Sequence, residues 1–465
     1  MRLHQLVDAF RALGVQREMR ARDTWNRERL ERFQRERLLA LVRHAVERSP
    51  FYADLYRGRD LGEDLQLGDL PVLTKTAMMA EYDRFVTDRR LRVSEMLSHL
   101  ERISGDELFL GEYRVLATGG SSGTRGLFAF GRREWATALA SVLRWGDFLG
   151  VKPRLLPRRM RVCSIGGDNP MHGTYRAAAT LDVGLHKVLR LQATAPISEL
   201  VAALDDFQPD AINAYPSVAA LLASEQIGGR LSIRPRAVST SSEVRTPEME
   251  RRMREAWGIS PFNYYGMTEV MSFGVECAEH RGIHAFEDLF IFEVVDAAYQ
   301  PVPPGTHGER VLLTNLHNFT QPLIRYELTD MIAVSPEPCP CGRPTRLVTS
   351  IEGRSDDVIY LQGTRGEVPV SFVHFFTAIE TVREVREFQV VHETDGLHLR
   401  LVLSDGADRA AVARRIQDDL GARLSKLGAS GTAILPEFLD GLPRDPRRMG
   451  KFKVIQSNVP RPGPR

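Results

Sequence analysis

Residues 209–243 read PDAINAYPSVAALLASEQIGGRLSIRPRAVSTSSE. Two short apolar runs, PDAINAYP and RPRAVSTSSE, flank SVAALLASEQI, a longer stretch with the pattern of a helix. The same alternation extends from about 113 to 260. RVLAT, RRMRVCSIG and GLHKVLRL read as further strands, and REWATALASVLRWGDFLG, ISELVAALDDF and PEMERRMREAWG as further helices. Strands that alternate with helices predict a parallel sheet covered on both faces, the α/β fold class.

The flanking sequence has a different texture. In RERLERFQRERLLALVRHAVERS, Leu30, Phe33, Leu38, Leu41, Val42 and Val46 fall on one helical stripe, and the Arg and Glu residues between them suit a solvated face. Thr74, after DLPVL, reads as a helix start. Beyond 280, LFIFEVVDAAYQPVPPGTHGERVLLTNL predicts two strands around a Pro/Gly turn, a β-subdomain of the first domain. Towards the end, EFQVVHETDGLHLRLVLSD predicts a hairpin, ADRAAVARRIQDDLGARLSK a helix and TAILPEFLD a further strand. The expected architecture is a large N-terminal α/β domain, residues 1–355, with mixed or parallel sheets flanked by helices. A small α+β domain, residues 356–465, follows it.

Composition excludes several classes. Lys and Arg total 62 against 60 for Asp and Glu, so the net charge of +2 gives no electrostatic reason to expect nucleic acid or a membrane as partner. There is no apolar run of about 18 residues. The N-terminus lacks the apolar core of a secretory signal. Four cysteines are too few for a disulfide scaffold, which fits a reducing cytoplasm. Homodimer formation is left open.

Five stretches carry chemistry. ATGGSSGTRG (117–126) crowds glycines and hydroxyls into a loop whose donors suit a phosphate, although an ordinary Gly/Ser turn has the same composition. It is not a Walker loop, because Leu127 follows Gly126 where that motif has Lys. NYYGMTE (263–269) offers an aromatic face, a hydroxyl and a carboxylate that could ligate Mg²⁺, or else a strand end with core tyrosines. IRYELTD (324–330) ends in Asp330, either a ribose-binding carboxylate or a turn former. EGRSDDVI (352–359) sets Arg354 beside acids at the expected boundary, and PRDPRRMGKFKVI (443–455) holds Lys451 after a glycine. An ion-paired turn and a solvated basic tail are their plainer readings.

In order and spacing, SSGT, YYGMTE, RYELTD, EGRSDD and the terminal GK resemble the motifs of adenylate-forming enzymes, the acyl-CoA synthetase, nonribosomal-peptide adenylation and luciferase superfamily. SPFY, LPVLTK and the EC…H…GIHAFEDLF stretch (276–290) resemble its phenylacetate–CoA ligase-like branch. The resemblance covers nearly the whole chain. It implies activation of a small carboxylic acid by ATP to an acyl-adenylate, followed by transfer to an acceptor such as coenzyme A. Ser121, Ser122, Gly123, Thr124 and Gly126 would hold the β- and γ-phosphates, and Tyr265 would stack on adenine beside Ser242 and Glu243. Thr268 would touch the α-phosphate, Glu269 would hold Mg²⁺, and Asp330 and Arg354 would grip the ribose. Lys451 would bridge the acid and the α-phosphate, and the small domain would be mobile about a hinge at Asp356. The acid would be an aryl or arylacetic acid.

There are departures. Arg125 stands before Gly126 with no Lys after it, RYELTD lacks the usual glycine, and YLQGTRGEVPVSF differs from the loop that completes the thioester-forming site. An alternative is therefore a coenzyme A-independent ligase passing the acyl group to an amine or a carrier protein. A third reading is a catalytically silent homologue acting as a binding protein, against which Glu269, Asp330 and Lys451 argue. Finally, Cys277 and His280 (C-x₂-H) with Cys339 and Cys341 (C-x-C) have the composition of a structural Zn²⁺ site, with His284 as a substitute ligand. Four unrelated reduced cysteines are the plainer alternative.

Overall fold

The computed structural model describes residues 3–459 apart from 119–125, 151–158, 168, 185, 194, 355–358, 364–365, 371–373, 376–377, 380–381, 383 and 443–452. The chain divides into two compact units. The first is built from Met1–Leu328 and Ile332–Ile351; the second runs chiefly from Glu352 and includes Thr329–Met331.

The first unit opens with helices Leu3–Arg22 and Arg27–Arg48. Asn26 starts the second of these by accepting the Arg29 N–H. Leu30, Leu38, Leu41 and Val42 are buried as the stripe predicts, whereas Phe33 and Val46 are only half-buried. Gln34 is also buried on that face, and its amide donates to the carbonyls of Glu287 (2.8 Å) and Phe290 (3.3 Å). A short antiparallel hairpin follows, β1 (Arg114–Ala117) and β2 (Leu127–Phe130), and then helix Arg132–Phe148.

The expected alternation is present. Strands β3 (Arg161–Gly166), β4 (Lys187–Gln192), β5 (Ala211–Ala214), β6 (Ala237–Ser241) and β7 (Phe262–Met267) are parallel where they pair. Helices Gly173–Leu181, Ile197–Phe207, Pro216–Ile227 and Pro247–Trp257 lie between them in sequence. Pro216 occupies the first turn of its helix, where its missing N–H has no intrahelical partner to lose. Thr246 caps the last of these helices by accepting the Met249 N–H, and Gly258 ends it at φ +70°.

After β7 the chain reverses. β8 (Met271–Glu276) and β9 (Ile283–Ala285) continue the sheet antiparallel. The strands β10 (Phe290–Val295), β11 (Arg310–Asn315) and β12 (Tyr326–Leu328) form a separate three-stranded sheet, the expected β-subdomain. β13 (Asp330–Val334) and β14 (Leu347–Arg354) return to the large sheet, whose order is β13-β14-β9-β8-β7-β6-β5-β3-β4. Half of this mixed sheet is parallel and half antiparallel. The helices over the parallel half bury Leu200, Leu204, Leu222 and Val238. The hairpin, helix 132–148 and the antiparallel half share a core that includes Phe128, Trp135, Phe273 and Phe290. Each such side chain contributes about 1.5–3 kcal/mol by leaving water.

The second unit has its own core. β15 (Ile359–Gly363) and β16 (Gly366–Val370) form one hairpin. β17 (Val385–Glu393), β18 (Gly396–Leu403), β19 (Ile434–Phe438) and β20 (Ile455–Ser457) form a sheet in the order β19-β18-β17-β20. Helix Arg409–Leu427 buries Val412, Ile416, Leu420 and Leu424, spaced four residues apart, in this core. Among the described residues, no helix is long and apolar enough to cross a membrane.

Candidate active site

The carboxyl ends of β3, β5, β6 and β7 share one edge of the sheet, the edge at which open α/β sheets take ligands. The strands end there in Gly166–Gly167, Tyr215, Ser242–Glu243 and Thr268–Glu269. The Tyr215 hydroxyl accepts the Gly167 N–H at 3.1 Å. Glu243 accepts the Ser217 N–H at 3.2 Å and so ties the end of β6 to the first turn of helix 216–227. Ser242 between them has φ +72°, a left-handed conformation that costs a non-glycine residue on the order of 1 kcal/mol and is held by its surroundings.

In YYGMTE the two tyrosines face opposite sides of β7, as strand alternation requires. Tyr264 turns inward: its hydroxyl lies 2.5 Å from Ser272 Oγ, which lies 2.9 Å from Ser141 Oγ, which donates to the Ala138 carbonyl. Burial pushes the Tyr264 phenol up to about 12, so it stays protonated and can donate into this chain. Tyr265 packs beside Phe273, with ring centroids 4.8 Å apart. Gly266 is required by space, because a Cβ there would stand 2.9 Å from the Tyr264 ring and 3.2 Å from the Met271 carbonyl oxygen. Thr268 and Glu269 form the turn between β7 and β8. The Glu269 carbonyl accepts the Asn315 side-chain amide at 2.8 Å, which fixes the backbone of the turn.

The β1–β2 hairpin brackets the Gly/Ser loop. At its neck the Thr118 N–H donates to the Gly126 carbonyl and the Gly126 N–H donates to Thr118 Oγ1, each at 2.9 Å. A Cβ on Gly126 would meet Lys75 Cε and the Phe128 ring at 3.0 Å, so the glycine leaves room for the Lys75 side chain at the base of the loop. The other arm is anchored by charge. Arg114, fully buried at the start of β1, donates to both carboxylate oxygens of Asp106 and to Asp8, all at 2.8 Å. Arg176 adds a second cation at 3.1 Å from Asp106, and Arg132 one at 3.2 Å from Asp8.

A separate cluster lies at the antiparallel side of the sheet. The ligand atoms of Cys277, His284, Cys339 and Cys341 all fall within 4.8 Å of one another. Cys277 Sγ is 3.7 Å from Cys339 Sγ, and Cys341 Sγ is 3.4 Å from His284 Nε2. A tetrahedron with metal–sulfur bonds of about 2.3 Å has edges of about 3.8 Å. His284 Nδ1 is held 3.0 Å from Thr345 Oγ1, a partner of the kind that orients ligating imidazoles. Burial, with Arg343 and Arg144 nearby, pushes the imidazole down to about 4, leaving it in the neutral, ligating form. His280, expected from the C-x₂-H spacing, is not part of this set. It sits in the turn after β8 at φ +49°, with its ring 4.7 Å from Phe262 and Nδ1 3.5 Å from Glu276. His284 takes its place.

The structure thus sets Ser242 and Glu243 just past the end of β6, beside Tyr265 on the adjacent β7 and the Thr268–Glu269 turn that follows it. Gly126 closes the hairpin neck; Asp330 opens β13 and groups with the second unit. The backbone of Arg354 ends β14. Ser121, Ser122, Gly123, Thr124, Arg125, Asp356 and Lys451, with the Arg354 side chain, lie outside the described residues. Lys75, Asn315 and Thr345 were not anticipated. The amide-rich run TNLHNFTQP (314–322) between a strand and a proline was the available signal for Asn315.

No protein-family model matches the chain. It is 28% identical over 447 residues to a phenylacetate–coenzyme A ligase of Thermus thermophilus, covering 86% of this chain and 93% of that one. A phenylacetate–coenzyme A ligase of Escherichia coli is 28% identical over 360 residues, 73% of this chain and 75% of that one. Among solved structures, a 2-hydroxyisobutyryl-CoA ligase complexed with an acyl-adenylate superposes with a TM-score of 0.70 at 20% identity, over 90% of this chain and 87% of that one. An anthranilate CoA ligase follows at TM-score 0.52 and 17% identity, over 71% and 64%. Fold, ordered motifs and relatives together define an adenylate-forming enzyme. Within that superfamily the curated relatives the chain is similar to are phenylacetate–CoA ligases.

Proposed function

We propose that this protein is an ATP-dependent acid ligase that converts a compact aryl or arylacetic acid to its acyl-adenylate and then passes the acyl group to coenzyme A. The observation that carries this reading is the convergence of SSE and YYGMTE at the carboxyl edge of the parallel strands, in a chain that covers 93% of a phenylacetate–CoA ligase. The attacking carboxylate is ionised at neutral pH, so adenylation needs no general base. It needs charge neutralisation and alignment. Ser121, Ser122, Gly123 and Thr124 would receive the β- and γ-phosphates, Thr268 the α-phosphate, and Asp330 and Arg354 the ribose. Glu269 is nearly buried on a turn fixed by Asn315, which suits a carboxylate that holds Mg²⁺; the ion would offset charge on the leaving pyrophosphate. Lys451 would supply the positive charge between acid and α-phosphate, on a small domain that turns about Asp356 between the two half-reactions.

The Cys277–His284–Cys339–Cys341 set fits one structural Zn²⁺: its donors are closed, mostly buried and backed by Thr345. With all four cysteines free, the chain suits a reducing cytoplasm.

The test is ATP–pyrophosphate exchange across a panel of carboxylic acids, followed by mass spectrometry of products with coenzyme A and with amines. Exchange with an aryl acid and a coenzyme A thioester product are expected. Amide products with no thioester would favour the amine-directed reading, for which the unusual YLQGTRGEVPVSF segment speaks. Absence of exchange with every acid would overturn the proposal and favour a silent binding protein.

A further inference from the structure

The β1–β2 hairpin is a sheet of two strands, and such a pair is marginal without a further partner. One edge of β2 faces β1. On its other edge, the N–H and carbonyl of Ala129 and the carbonyl of Leu127 point away from β1 and are buried. Backbone groups in that position must find partners. They find them in side chains. Gln321 accepts the Ala129 N–H at 2.7 Å and donates to the Leu127 carbonyl at 2.9 Å, while Asn318 donates to the Ala129 carbonyl at 2.9 Å. Two carboxamides thus do for β2 what a third strand would do.

The same turn reaches the Thr268–Glu269 turn at the end of β7. Asn318 Oδ1 accepts the Gln321 N–H at 3.0 Å, and Asn315 Oδ1 accepts the Asn318 N–H at 3.1 Å and the His317 N–H at 3.0 Å. Asn315 Nδ2 then donates to the Glu269 carbonyl at 2.8 Å. All three amides are buried. Glu134 closes the assembly: one carboxylate oxygen accepts the Phe319 and Thr320 N–H groups at 2.8 and 2.7 Å, and the other accepts Gly131 N–H, just past β2, at 2.6 Å.

We propose that Asn315, Asn318 and Gln321 are positioning residues for the nucleotide chemistry. They tie β2, the return strand of the hairpin, to the Thr268–Glu269 turn, so that the backbone at 127–129 and the Glu269 proposed to hold Mg²⁺ are placed as one body. This rests on the ATP-dependent reading above. The strap itself touches no reacting atom. Its effect on adenylation would come through the backbone at 127–129 and at 269, the two ends of the hydrogen-bonded chain.

The experiment uses the full chain in ATP–pyrophosphate exchange, with calorimetric binding of Mg–ATP and thermal unfolding as companions. Gln321→Met keeps length and volume but removes both contacts to β2; Asn315→Ala releases the Glu269 carbonyl. Unpairing a buried backbone group costs enough to shift a binding constant about tenfold. Gln321→Met is expected to raise KM for ATP about tenfold, and Asn315→Ala to raise the half-saturating Mg²⁺ concentration about tenfold, each leaving KM for the acid within about twofold. Because the links are in series, the double variant should be little worse than the poorer single one. If Gln321→Met does not fold, Gln321→Glu, which retains the acceptor for Ala129, is read by the same criteria and should be intermediate. Folded variants whose ATP and Mg²⁺ constants stay within twofold of wild type would overturn the inference. So would equal losses in all three constants that track thermal stability. Wild-type protein that binds Mg–ATP but exchanges with no acid would count against the ligase reading alone, since the ATP Kd still reports on the strap. Wild-type protein that fails to bind ATP would overturn both.

Discussion

Replacing His284 should remove the metal, and replacing His280 should not. His284 Nε2 lies 3.4 Å from Cys341 Sγ and its other nitrogen is held by Thr345, whereas His280 faces Glu276 and Phe262. Structural zinc in small peptides is worth about 10–16 kcal/mol at pH 7, so one of four ligands carries about 3 kcal/mol. That corresponds to a loss of roughly 10²-fold in affinity for His284→Gln. Thr345→Val, which leaves the ligands intact, should cost about 10-fold to 100-fold, the usual range for a partner behind a ligating imidazole. Zinc per chain by plasma mass spectrometry, and release to a chromogenic chelator, measure both. Wild type should carry about one zinc, and because binding energy is folding energy, chelation should lower the unfolding temperature of the first unit. His280→Gln should match wild type in both assays. A His280→Gln protein that loses its zinc while His284→Gln keeps it would refute the geometric assignment. Wild-type protein from zinc-replete medium without zinc would refute the site altogether.

Two further outcomes follow from the chain's charges. Arg114→Met should destabilise the first unit by about 3–5 kcal/mol, because it strands Asp8 and Asp106 in the interior with fewer partners. Burial pushes the Asp106 carboxyl up, but the Arg114 and Arg176 guanidiniums outweigh it and hold it below the usual carboxylate range. A depressed carboxyl contributes stability that is present above its unfolded pKa and is lost only as pH falls through the lower folded pKa. In wild type that loss is therefore confined to pH below about 4. In the variant burial is no longer offset by Arg114, so its deficit relative to wild type should be greatest near neutral pH and shrink as pH falls and the stranded carboxylates take up protons; unfolding temperatures that remain equal to wild type between pH 4 and 7 would contradict this. Lys451→Ala should lower acyl-adenylate formation by about 10²-fold or more while sparing transfer from a supplied adenylate. Equal loss in both half-reactions would remove Lys451 from the first step.

What was legible in the sequence, and what was not, divides along a physical line. The α/β architecture was legible because strand and helix impose periods on the side chains that bury them, and the stretch from β3 to β7 keeps those periods cleanly. Gly266 was legible as part of a motif, and the structure supplies its reason, since neither Tyr264 nor the Met271 carbonyl leaves space for a Cβ. His280 misled because closeness in sequence was read as closeness in space. A turn after Cys277 carries His280 away, and the antiparallel pairing of β8 with β9 sets His284 directly opposite Val275. Cys277 follows Val275 by two residues and so extends along the same face, which makes His284 its diagonal neighbour. Recognising that hairpin in VECAEHRGIHAF would have given the ligand without a structure. The amide strap belongs to a different kind of information. Nothing in TNLHNFTQP states which backbone groups β2 will leave unpaired; that is decided by a hairpin whose sheet, among the described residues, has no third strand beside β2. A buried carboxamide is chosen by the vacancy it fills, and the vacancy exists only once the topology does. The residues that take part in chemistry could therefore be proposed from motifs, while those that hold them in place had to be read from the fold.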